Sequence, residues 1–313
     1  MTLKTYYSIT KELIRYLKKG YHMSTALSVA EERGQSLAEL MGVTQTVATA
    51  SGPSIARITQ IHQPVEKEVD VDGDKLMKKV LPIGSYKISM GEDKIIYSPT
   101  VSIRIFAQRQ QWQRWNGETE EMEKSVMSAS LNGDLKDNIG TFNLGRPSTY
   151  IQDFNSLPNA TKEVMRSVKR VKVFMGLLTV SDPRNASGDT IDEEYVDVPF
   201  VMDVKNRDSI KSLDSALQKL QRGNMLPIMS TITLLGLEDS IPTGAKFGKI
   251  KAEVGNRVEI TDLDNETLKN FLDFIEYVNG NILDKHAERS GDGMSNSEKE
   301  MVADIIEVEE EAA

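Results

Sequence analysis

The chain has 313 residues, 27% charged and 39% hydrophobic, with a net charge of −9 and no cysteine. That length holds one large domain or two ordinary ones, and the missing cysteines exclude disulfides, thiolate metal sites and cysteine nucleophiles together. No apolar run approaches the ~18 residues of a membrane-spanning helix, and Met1 to Ser8 carry no apolar signal segment, so a cytoplasmic protein is expected, in the host cytoplasm if the chain is viral.

Residues 1–52 read as a helical segment. Leu3, Leu13, Ile14 and Leu17 have partial helical spacing before Gly20, Ser24 opens a second short piece ended by Gly34, and Ser51-Gly52-Pro53 breaks the run. Beyond Pro53 the period falls toward two. Strands are expected near Ile55–Ile61, Gly84–Met90, Ile95–Ala107 (running on to Trp115), Ser125–Leu131, Val168–Val180, Glu194–Val204, Pro227–Leu235 and Ala245–Val254. Turn residues separate them, and Asn132-Gly133 is the clearest hairpin signal. Strands and helices do not alternate regularly, which argues against a doubly wound sheet.

A helix near 209–222, capped by Asp208 and stopped by Gly223, interrupts this β-rich core of residues 53–260 with Ile210, Leu213, Leu217 and Leu220 on one face. A C-terminal helix over 261–288 follows Asp264 and is expected to bury Leu268, Phe271, Leu272, Ile275, Ile282 and Leu283. Residues 289–313 then read as a flexible acidic tail. The expected class is α+β, with a β-rich barrel or sandwich at its centre.

Enzyme motifs are absent. There is no phosphate-binding glycine loop, no G-x-S-x-G and no H-E-x-x-H, and His22, His62 and His286 sit in unrelated contexts. Asp70-Val-Asp72-Gly73-Asp74 is like a calcium loop only superficially. It lacks the third alternating acid and the distal Glu, and reads as a hairpin turn. No cofactor and no metal are expected, and no catalysis.

Cations and aromatics are more informative. On a strand, Arg104, Phe106, Gln108, Gln110, Trp112 and Arg114 share one face, without a carboxylate, while Val101, Ile103, Ile105 and Ala107 form a core face. Trp115 closes the run. Arg170, Lys172 and Phe174 repeat the pattern, with Lys169 beside them, and so do Phe247, Lys249 and Lys251. The loop from Asn132 to Ser148 adds Arg146 among residues that allow close backbone approach. Cations for phosphates and flat rings for bases are what single-stranded nucleic acid requires of a surface.

The charge distribution permits such a partner. Residues 290–313 hold eight acids and one base, −7 in all, which leaves −2 for residues 1–289; between Ile95 and Gly176 eleven bases outnumber eight acids. A β-rich core over about 53–255, then a helix, a linker and an acidic end, resembles the single-stranded DNA-binding proteins of phage replication systems. The resemblance is one of organisation. It implies an OB-like barrel, a non-catalytic role in coating single-stranded DNA during replication or recombination, and docking of replication proteins through the acidic tail 298–313. Such tails often end in an aromatic or apolar residue that inserts into a partner; this chain departs from that by ending Glu309-Glu-Glu-Ala-Ala313, with Ile305, Ile306 and Val308 as the apolar residues that could serve instead. The composition also suits a viral structural or assembly protein with a β-rich core.

Overall fold

The computed structural model describes residues 55–290 apart from 72–73, 92–93, 149–150 and 152. The expected helical segment 1–52 and the acidic tail beyond 290 lie outside the described residues. The strands are β1 (Ala56–Gln60), β2 (Val65–Val71), β3 (Asp74–Leu81), β4 (Tyr86–Met90), β5 (Lys94–Ser98), β6 (Thr100–Asn116) and β7 (Glu121–Lys124). Helix α1 (Asn159–Ser167) leads into β8 (Lys169–Val180) and β9 (Tyr195–Val204); α2 (Arg207–Arg222), β10 (Ser230–Ser240), β11 (Lys246–Arg257) and α3 (Asp262–Arg289) complete the order.

Nine strands form one mixed sheet in the order β11-β10-β6-β8-β9-β1-β4-β5, with β7 paired to the far end of β6. Among the pairs described, only β1 with β9 is parallel. β2 and β3 pair antiparallel as a separate two-stranded sheet. The chain is thus mixed α/β with a large sheet and a C-terminal helix, but a closed barrel is not found.

The reason is on β11. Its outward amides of Ile250 and Ala252 donate to Ser209 Oγ (3.0 Å) and Ser212 Oγ (2.9 Å) of α2. The helix therefore satisfies the edge that a closing strand would have paired. The sheet still curls. A Cβ on Gly236 would lie 2.0 Å from the Gly84 carbonyl oxygen, so only glycine permits that approach.

Two cores lie on opposite faces of the sheet. One gathers Ile58, Ile88, Ile103, Phe174, Leu178 and Phe200 under Leu213, Ala216 and Leu220 of α2. The other places Ala107, Val171, Val173 and Met175 against Phe271 and Ile275 of α3. A β-bulge separates them along β6. Ile105 faces Gly176 and Ala107 faces Met175, so Phe106 is extra. Because side chains alternate with period two, one inserted residue exchanges the faces of everything beyond it.

Several expectations need correction. α2 is capped by Asn206, whose side chain accepts from the amides of Asp208 and Ser209, rather than by Asp208. α3 is capped by Thr261, with Asp264 as the third residue of a capping box. Leu272 and Leu283 are exposed on α3 rather than buried. No strand forms over Ser125–Leu131: the Asn279 side chain of α3 pairs with the amide (2.7 Å) and carbonyl (2.9 Å) of Met127, taking the place of a neighbouring strand. Helix α1 buries no side chain, and β2, β3 and β7 are too polar to announce themselves by alternation.

Candidate nucleic-acid interface

The bulge divides the cationic–aromatic face expected on β6. Arg104 and Phe106 lie on the α3 side. Arg104 is buried, with Nη2 3.1 Å from Asp264 Oδ2 and two donations to the Ile228 carbonyl oxygen (3.3 and 3.2 Å). Phe106 packs on Phe271, ring centroids 6.0 Å apart. Neither is available to a strand of DNA. Arg104 instead supplies the cation that a buried carboxylate requires.

Beyond the bulge, Gln108, Gln110 and Trp112 share the other face with Phe174, Lys172 and Arg170, their cross-strand partners. Phe174 is 0% exposed beneath α2, so it stacks no base. Lys172 is largely buried and paired with Asp214 of α2. Both were expected on an open surface; α2 covers that part of it. Arg114 is held by Glu123 at 2.6 Å. Phe247, Lys249 and Lys251 lie on the far edge strand, where Asp239 (3.1 Å) and Glu253 (2.7 Å) neutralise the two lysines. They do not join the residues of β6.

What the fold does bring together is the far end of β6 and the start of β8. The Arg146 guanidinium lies 4.7 Å from the centroid of Trp112 and donates to the Met165 carbonyl oxygen at 3.0 Å. Arg170, opposite Trp112, is exposed and has no carboxylate partner among the described residues, as is Lys169. Arg166 stands over Phe154 at 5.7 Å. On the opposite face of the same strand end, Trp115 is 58% exposed, which is unusual for a large ring on a protein surface.

Beside it is a cleft of about 550 Å³ at the carboxyl ends of β1 and β9, bordered by the first turn of α2. Arg57, Gln60, His62, Gln113, Lys124 and Lys205 line it, with Asp203 as the acid among them. Asp203 accepts from Gln113 at 3.2 Å and lies 3.7 Å from Arg57. Lys124 and Lys205 have no ion pair among the described residues. Burial lowers the Lys124 ammonium below the ordinary lysine value; Asp203 opposes the shift, while Arg57 and Lys205 add to it. Tyr86 also lines the cleft, fully buried, and its hydroxyl has no hydrogen-bond partner among the described residues.

Arg57, His62, Lys124 and Lys205 were not singled out from the sequence. Each is an isolated polar residue in its own segment, and only the meeting of β1, β7 and β9 collects them. No helix among the described residues is long and apolar enough to cross a membrane, and no group of three metal-ligating side chains is present among them. The chain matches no protein-family model, no curated protein and no solved structure.

Proposed function

We propose that the protein binds single-stranded DNA without catalysing a reaction on it, coating the strand in replication or recombination. The observation that carries this is the end of β6, where an exposed Trp115 and the Arg146–Trp112 stack adjoin Lys169 and Arg170, which have no carboxylate partner among the described residues. Aromatic faces accept any base, and each stacked base contributes about 1–3 kcal/mol. Unneutralised cations bind phosphate with release of counterions. The acidic segment 298–313, outside the described residues, is assigned in the same proposal to docking of replication proteins.

Tryptophan fluorescence titrated with oligo-dT at low salt tests it, followed by back-titration with sodium chloride. Quenching that salt reverses is expected. Trp115→Phe should remove most of the signal, because Trp112 already has a guanidinium on its face, and Trp112→Phe should keep it. An unchanged spectrum, or an affinity indifferent to salt, would overturn the proposal.

A further inference from the structure

The cleft at the ends of β1 and β9 has more positive charge than its own acid offsets. Arg57, Lys124 and Lys205 surround the single carboxylate of Asp203, which Gln113 already engages. Bringing cations together in a partly desolvated cleft is unfavourable unless an anion joins them. The amino-terminal end of α2, a 16-residue helix capped at Asn206, adds its positive dipole at the border. Tyr86 contributes a buried hydroxyl without a partner among the described residues. Its volume falls in the range of small-molecule sites, about 300–1,000 Å³.

The β6–β7 ribbon indicates what kind of anion. Gln113 pairs with Lys124, and Trp115 pairs with Met122. Directly opposite residues project to the same face, so these four side chains stand together. Three of them line the cleft. The fourth, Trp115, is an exposed indole on that same face, directly opposite the cleft-lining Met122.

We propose that this cleft binds one nucleoside phosphate unit, with its phosphate on Lys124, Lys205 and Arg57 and its base stacked on Trp115. As a seat for one nucleotide of a bound strand, this rests on the function proposed above. The same chemistry is offered by a free mononucleotide, and the test separates the two sources.

The full-length chain and its Lys124→Ala/Lys205→Ala variant, checked for folding by circular dichroism, are titrated with labelled oligo-dT across a salt series and with dTMP by calorimetry at low salt. The proposal expects an affinity for oligo-dT at least about tenfold weaker in the variant. It also expects a log–log salt slope shallower by about 0.7, the value of the one phosphate contact the cleft makes on a single strand, and loss of dTMP binding. If the double variant does not fold, Trp115→Ala and Lys205→Ala, both at exposed positions, replace it: each should weaken oligo-dT and dTMP binding, Trp115→Ala with the salt slope unchanged. Unchanged affinity and slope in the folded variant, with Arg170→Ala still weakening binding, would overturn the cleft as a nucleotide seat and leave strand binding intact. Binding of dTMP but not oligo-dT, lost in the variant, would support the cleft as a free nucleotide site and overturn the strand reading. Binding of neither would overturn both.

Discussion

Arg104 shows how context reverses the role of a single side chain. In the sequence it opens a cationic stripe. In the fold it is the buried partner of Asp264, which also accepts from the Thr261 amide at 2.8 Å and so ties the start of α3 to β6. Arg104→Ala leaves that carboxylate buried and unpaired, and should cost about 3–5 kcal/mol in urea unfolding. Arg170→Ala, at an exposed position, should stay within about 0.5 kcal/mol of wild type while weakening oligo-dT binding. Equal stabilities of the two variants would contradict the buried assignment. The pair also has a pH signature. Burial pushes the Asp264 carboxyl up, but the Thr261 amide and the Arg104 guanidinium outweigh it and hold the carboxyl below the ordinary value. As pH falls, the unfolded chain takes up this proton first. The contribution is therefore whole above about pH 4 and is lost below it. Wild type should lose more stability than Asp264→Asn between pH 5 and pH 3.

At the scale of elements, β6 is the decisive strand. Its bulge lies opposite Gly176, where an added Cβ would meet the Arg104 carbonyl oxygen at 1.8 Å. Glycine there permits the close crossing, and the extra residue beside it sends Phe106 to the α3 core and Phe174 to the α2 core. Gly176→Ala should therefore destabilise by about 2 kcal/mol or more, because the obstacle is backbone and cannot turn aside. A thermal melt within a degree or two of wild type would show that the strands had room to part. The boundaries of β1, β4, β8 and β9 were legible from alternation, because each has an apolar face. The bulge was not, since a period-two pattern carries no mark of one inserted residue.

For the molecule as a whole, net charge is a poor guide to its partner. The −9 total is dominated by the last two dozen residues, whereas Lys124, Lys169, Arg170 and Lys205, which have no carboxylate partner among the described residues, cluster about the end of β6 and the cleft beside it. If Lys169 and Arg170 each meet a phosphate and Lys124 and Lys205 share a third, the log–log dependence of oligo-dT affinity on salt should have a slope of about −2. A slope near zero would remove the electrostatic basis of binding. The open sheet has a comparable logic. α2 covers one face and also takes the amides of the β11 edge, so neither apolar surface nor strand edge drives closure into a barrel.

Alternation, turn residues and helix spacing were enough to place most strands, α2 and α3, because those signals are local and each element declares its buried face. The absence of enzyme motifs and of cysteine was likewise plain from the chain alone. Which cations are free was decided only by tertiary structure. Arg104 and Lys172 found carboxylates far away in sequence and Lys249 found one across its own hairpin, whereas Lys124 and Lys205 came together at a cleft. Charge pairing depends on distance in space, and a one-residue bulge in β6 was sufficient to redistribute it.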